Sequence, residues 1–333
     1  MAKTMIFRNP FFDILKAVAI FMVVMQHCYQ YLSDGIYESC AINQSISLIS
    51  VPLFMMVSGY FMFSSKLDIT KLFQRERSLL LPFMFWSLIY FCIFHSIFYD
   101  GITLAEFLSN LLTAPYFCSQ LWFFRTLAII TFITYFCKKL SGHNDVISLS
   151  IVFCLITAVS ILITKEFALQ SLTGNLGYFI IGYAANKYSF FSAKWFPAIG
   201  KICIVAFLTT ITLKINHIQS GGGILFKICN YTGIISMTWI IQKLSGFQVF
   251  NSRSILYLGS HTLEVYATHF LWAFILMLLK VPVSSQIPDI MIILWSLTTI
   301  VLSLATASII NRIPYIKTLI YGRPTSRTVL AVR

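Results

Sequence analysis

Charge is what this chain has least of. Of its 333 residues only 11% are charged and just 11 are Asp or Glu, whereas 58% are hydrophobic. Mean hydropathy is +0.82. A soluble protein of this size cannot hide so much apolar surface, so the natural solvent is a bilayer. Several chemical signatures are also missing. The eight cysteines contain no CxxC pair, and the chain has no Walker motif, no G-x-S-x-G and no zinc ligand set. These gaps argue against metal hydrolysis, ATP-driven transport and the usual serine-hydrolase arrangement. No repeat or low-complexity tract occurs. Gly221-Gly222-Gly223 follows no strand and reads as flexible punctuation, not a phosphate cradle.

The net charge of +13 does not point to nucleic acid, because Lys and Arg fall in short segments between apolar runs. Those runs predict about ten membrane spans, near 13–32, 46–63, 79–99, 121–137, 146–164, 172–187, 198–214, 224–243, 255–277 and 289–310. Most of the 24 Lys and Arg lie in the N-terminus, the even-numbered loops and the C-terminal tail. The odd-numbered loops hold Lys165, Lys214, Lys227 and Lys280. By the positive-inside rule both termini are cytoplasmic, and the loops with Asp34, Glu38, Asp100 and Glu106 face outside. The first run is too long for a cleaved signal and has no A-x-A site, so it is expected to stay as the first helix. The fold class is therefore all-α: one polytopic membrane domain over 1–333, with a short N-terminus (1–12) and a C-terminal tail (311–333). Six cysteines fall in apolar segments and read as small core hydrophobes. Cys40 and Cys118 lie in loops placed outside, which leaves a disulfide there open.

Two ionisable residues sit on the first helix. "KAVAIFMVVMQH" places Lys16 and His27 eleven positions apart. At about 100° per residue they are about 20° apart around the helix and roughly 16 Å apart along it. Both therefore share one face, with Asp13 one turn before Lys16 and able to pair with it. A lysine near a helix end also snorkels, and a lone histidine often only packs. Ionisable groups inside a bilayer cost about 2.5–3.5 kcal/mol each, so two on one face point to function.

"FFDILKAVAIFMVVMQH" resembles the opening of the acyltransferase 3 membrane proteins, whose first helix carries Arg or Lys, ten residues, then His. Further likeness follows in order in "VPLFMMVSGYFMF" (51–63), "RSLLLPFMFWS" (77–87), "LWFF" (121–124) and "EVYATHFLW" (264–272). The resemblance implies transfer of an acyl group, usually acetyl from acetyl-CoA, to a hydroxyl of a cell-surface glycan. It implies that His27 is catalytic and that Lys16 helps to hold acyl-CoA. Lys in place of the Arg found in many relatives keeps the charge and gives up the bidentate fork. Lys66, Lys71, Arg75 and Arg77 in the second loop would surround the same cytoplasmic mouth; Lys71, Arg75 and Arg77 are assigned with Lys16 to the donor's phosphates. His27 could then act as general base or nucleophile.

Depth estimates add a polar layer near His27. Arg125 lies about two turns into the fourth span, Glu264 near the middle of the ninth, and His269 close to the level of His27. A membrane carboxylate needs a partner, and Arg125 or a histidine is the natural one for Glu264. Arg125 is expected to stabilise transition-state charge, Glu264 to orient it, and His269 to place the acceptor hydroxyl. Thr262, Tyr266 and His269 form one polar stripe on the ninth span; His261, Glu264 and Thr268 form another. Asn175, Tyr178, Asn230 and Tyr266 are candidate substrate contacts. Gly59, Gly174, Gly177 and Gly182 are expected to let helices approach closely.

The expectation is a bacterial inner-membrane O-acetyltransferase that uses acetyl-CoA and no metal. Its partners are a surface polysaccharide such as O-antigen or a lipid-linked glycan, with membrane lipids and no nucleic acid. The alternative is a translocator of a glycan or lipid-linked sugar, which a polar pathway through ten helices also suits.

Overall fold

A computed structural model describes residues 10–33, 40–64, 68–98, 100–111, 121–163, 167–215, 224–283 and 288–322. Thirteen α-helices make up almost all of it. They are α1 (Pro10–Leu32), α2 (Ala41–Ser64), α3 (Ile69–Phe98), α4 (Leu104–Asn110), α5 (Trp122–Ser141), α6 (Asp145–Leu162) and α7 (Phe167–Lys187), followed by α8 (Phe196–Ile215), α9 (Ile224–Leu244), α10 (Arg253–Ser260), α11 (Thr262–Leu278), α12 (Pro288–Asn311) and α13 (Pro314–Tyr321). Among the described residues there is no strand.

Each expected span falls on helix. Among the described residues, six stretches are long and apolar enough to cross a membrane by length and composition: Pro10–Leu32, Ala41–Met62, Ile69–Phe94, Trp122–Leu162, Phe196–Leu213 and Pro288–Asn311. The fourth of these is two helices, α5 and α6, joined by a short 3-10 turn. Apolar side chains such as Leu155, Leu162, Ile202 and Val301 point outward. A soluble protein seldom exposes so much, and a multi-pass membrane protein needs it.

Helix α1 is the axis of the bundle. Its apolar window is 72% buried, against 33% for α12, and it packs against α2, α9, α10, α11 and α12. A helix that is apolar on all sides is stable only when neighbours cover every side. The closest contact between helices joins α2 to α7. A β-carbon at Gly182 would lie 1.7 Å from the carbonyl oxygen of Met56, and one at Gly59 would lie 2.0 Å from that of Phe179. Only glycine permits this reciprocal approach. Gly177 instead faces the Tyr231 hydroxyl, and Gly174 meets nothing within 4 Å.

Three features depart from the sequence reading. Helix α3 begins at Ile69, ten residues before the expected span, because "ITKLFQRERS" is rich in helix formers and has no breaker. Lys71, Arg75 and Arg77 are thus helical residues, not loop residues. The ninth span is broken, since α10 ends at Ser260 and α11 starts at Thr262. His261 sits at the break with Nδ1 near Ser260 Oγ (2.8 Å) and Tyr257 O (2.9 Å), so it is not part of a stripe along α11. The C-terminal tail contains α13, which packs against α3. Lys66, Lys165, Asp34, Glu38, Cys118 and the triple glycine lie outside the described residues, and with Cys118 so does the disulfide left open. Cys40 donates its thiol hydrogen to Asp289.

Outside the spans, the short α4 opens with a capping box. The Thr103 backbone and hydroxyl donate to Glu106, whose own N–H returns a bond to the Thr103 oxygen at 3.2 Å. Those bonds, the backbone one first, hold the Glu106 carboxyl below the ordinary carboxylate range.

Candidate active site

Lys16 lies on the second turn of α1, mostly covered, and the expected pair with Asp13 forms at 2.8 Å. The ammonium also sits 5.9 Å from the centre of the Phe61 ring on α2. Asp13 is fixed from behind, because α10 approaches its backbone. A β-carbon at Gly259 would be 1.9 Å from the Asp13 carbonyl.

Higher on the same helix, His27 meets His269 of α11 with ring centres 5.0 Å apart and planes at 45°. The sequence expectation that these two share one depth therefore holds. His269 is fully buried. Its Nδ1 lies 2.8 Å from Tyr266 O and 3.2 Å from Val265 O, both acceptors, so Nδ1 carries the hydrogen. Nε2 is then a lone-pair acceptor, and among the described residues it has no partner. His27 Nδ1 lies 3.1 Å from Gln30 Oε1, and the Tyr31 ring stacks beside it at 6.3 Å.

A cavity of about 170 Å³ runs beside the cation from Lys16 to Val23 of α1, one turn short of His27, and neither histidine is part of its wall. Lys16 and Arg75 line it together with Ser58, Thr262 and Tyr266, and apolar side chains of α1, α2 and α5 form the rest of its wall. The Tyr266 ring is 5.6 Å from that of His269. The cations thus stand at the cavity itself, and the imidazoles lie beyond Val23 and Tyr266 of its wall. Arg75 reaches the cavity because α3 starts early. Lys71 and Arg77 are exposed on the same first turns and do not line it.

The remaining candidates are distributed differently. Arg125 is buried on α5, but it lines a second cavity of about 390 Å³ between α3 and α5, with Glu76. Its neighbours Phe123 and Leu127 line the first cavity. Two residues of helix turn a side chain by about 200°, which explains the division. Glu76 is itself buried and accepts a hydrogen bond from Thr131. The sequence reading passed over Glu76, although an acid between two arginines in "RERS" on a membrane helix was a visible signal. Glu264 is wholly buried in the first turn of α11.

Tyr178 of α7 meets Asn230 of α9, whereas Asn175 bonds within α7. Asn230 donates to the Tyr178 hydroxyl at 2.6 Å, and Asn175 donates to Ser171 O at 2.7 Å. Lys227, expected in a loop, lies on α9 with its ammonium 5.4 Å from the Tyr178 ring centre. Of the four substrate candidates, only Tyr266 lines the cavity that holds Lys16.

Comparison with known proteins agrees with this architecture. A family model described as an acyltransferase domain matches residues 9–312, which is nearly the whole chain. The chain belongs to the acyltransferase 3 family. Nodulation protein NolL of Mesorhizobium japonicum is 31% identical over 115 residues. That stretch is 32% of this chain and 30% of the relative, so the likeness spans about a third of either protein. No solved structure matches.

Proposed function

We propose that the protein is a membrane-bound O-acyltransferase that moves an acetyl group from acetyl-CoA to a hydroxyl of a cell-surface polysaccharide such as O-antigen. In this reading it works in a bacterial inner membrane on a glycan or lipid-linked glycan. The observation that carries the reading is the order along one face of α1: Lys16 and Arg75 border a cavity that reaches Val23, and His27 meets His269 one turn beyond it. Coenzyme A carries phosphates at one end and its reactive thioester at the other. Two cations at an apolar cavity and two imidazoles one helical turn beyond it match that order.

Acetyl-CoA supplies an activated acyl group when bound. Lys16 and Arg75 hold its phosphates, with Lys71 and Arg77 flanking them on the exposed turns of α3. His27 Nε2 removes the proton of the acceptor hydroxyl as that oxygen bonds to the acyl carbon, and returns it to the departing sulfur. His269, whose Nε2 is left an acceptor by the two backbone carbonyls at Nδ1, takes a hydrogen bond from a neighbouring hydroxyl of the sugar and so orients it, and Tyr266 closes the wall beside it. Glu264 and Arg125 support this layer from α11 and α5, and Arg125 acts from behind the cavity. Asn175, Tyr178 and Asn230 offer a separate polar patch for the glycan.

Mass spectrometry of surface glycan tests the reading. Cells with the wild-type protein should carry a 42 Da acetyl increment (approximately, from the added C₂H₂O) that is absent without the protein and absent with His27→Ala. Glycan of identical mass in all three strains would overturn it.

A further inference from the structure

The hydrogen bond of His27 is made within its own helix. Gln30 is one turn on, and its Oε1 lies 3.1 Å from His27 Nδ1. An amide oxygen has lone pairs but no hydrogen, so the proton of this contact belongs to Nδ1. In a neutral imidazole that leaves the lone pair on Nε2. Tyr31 lies parallel to the ring at 6.3 Å within α1, and His269 meets it from α11 at 5.0 Å.

Gln30 has no comparable structural task. Its side chain is exposed near the end of α1, and among the described residues its one side-chain bond is to His27. Its neighbours do the tethering: Tyr29 donates to Asp289 of α12, and Ser33 donates to Tyr29 O at 2.6 Å. Helix α1 therefore reaches its neighbours without Gln30.

We infer that Gln30 is a positioning residue for the reaction: it holds His27 as the Nδ1–H tautomer, so that Nε2 is the atom presented to the acceptor hydroxyl. The inference rests on the reading of His27 as general base. The logic matches that of the carboxylate which orients the histidine of a serine-protease triad, with a neutral amide in its place. Protons balance around the cycle. Nε2 takes the hydroxyl proton as the O–C bond forms, and the Nδ1–H stays on Gln30 throughout. Nε2–H then protonates the sulfur as the C–S bond breaks, and His27 returns to its starting form.

The test is an acceptor series in the full-length protein in nanodiscs. CoA release from acetyl-CoA is followed with glycan extracted from cells that lack the protein. Gln30→Glu retains an acceptor and should keep kcat within about twofold. Gln30→Leu removes one hydrogen bond, worth about 1 kcal/mol, and should lower kcat about five- to tenfold with KM for acetyl-CoA unchanged. Gln30→Lys offers only donors, favours the opposite tautomer, and should lower kcat the most. Nitrogen-15 NMR of histidine-labelled protein should show His27 as Nδ1–H in the wild type and as a mixture in Gln30→Leu. Full kcat in Gln30→Leu, equal losses in Leu and Glu variants, or an Nε2–H wild type would each overturn the assignment. An inactive His27→Ala beside a fully active Gln30→Leu defeats the inference alone. An active His27→Ala defeats both the inference and the catalytic reading beneath it.

Discussion

At the scale of single residues, the proposed function concentrates on two side chains of one helix. His27→Ala should reduce acyl transfer below detection while the amount of folded protein in the membrane stays normal, because His27 is only half-buried and its side-chain bond stays within α1. Full transfer with normal expression would remove it from the mechanism. Lys16→Ala should raise KM for acetyl-CoA about tenfold or more and leave kcat nearly unchanged, since a charge-assisted contact contributes about 1.5–3 kcal/mol. Lys16→Arg keeps the charge and should restore near-normal KM. A change confined to kcat in Lys16→Ala would remove its role as the phosphate anchor. Both residues were legible in the sequence because helical geometry depends only on spacing. His269 was legible too, since rise per residue on α11 gave its depth. Arg75 was named, but its place in the cavity wall was not visible while it was read as part of a loop. Gln30 gave no sequence signal, because a glutamine at a helix end is ordinary until its neighbour is known to be His27.

At the scale of elements, hydrophobic runs located the helices well and their ends poorly. Apolar composition reports where lipid or core begins, not where backbone hydrogen bonding begins. Helix α3 therefore extends ten residues into a charged stretch, and the break between α10 and α11 falls at Gly259-Ser260-His261-Thr262, a short polar step inside a span that is apolar on either side. The direction of Arg125 illustrates the same limit. Depth fixes its level, but a rotation of two residues about α5 decides which cavity it faces. The α2–α7 contact yields a direct test. Gly182→Val forces a β-carbon into the Met56 carbonyl and should destabilise the protein by about 3 kcal/mol, whereas Gly174→Ala, with open space around it, should be neutral. Thermal denaturation in detergent separates the two, and equal melting temperatures would show that the seam yields.

At the scale of the whole molecule, nine other helices of 17 residues or more accompany α1 among the described residues, and the charge asymmetry between alternating loops predicts that both ends of the chain face the cytoplasm. Reporter fusions at each terminus should be active only for a cytoplasmic reporter. An active exported reporter at one end would mean an odd number of crossings, and would move the mouth beside Lys16 relative to the acetyl-CoA supply. The fold class was legible because composition alone demands a bilayer. The arrangement of helices around α1 was not, because packing depends on pairs such as Gly59 with Phe179 that lie more than a hundred residues apart.

That same glycine seam has a mechanical consequence. Where two backbones touch without side chains between them, there is no soft material to deform, so α2 and α7 behave as one stiff body. Helix α10 touches α1 in the same way at one point, Gly259 against the Asp13 carbonyl, but it is short and ends in a break at His261, so the rest of it is not held by such a seam. Motion that admits a bulky donor or acceptor therefore belongs to α10 and the wall around it rather than to the seam. Hydrogen exchange should accordingly be slowest across residues 53–60 and 176–183 and markedly faster across 253–261, and uniform exchange across all three would show that the bundle breathes as a unit.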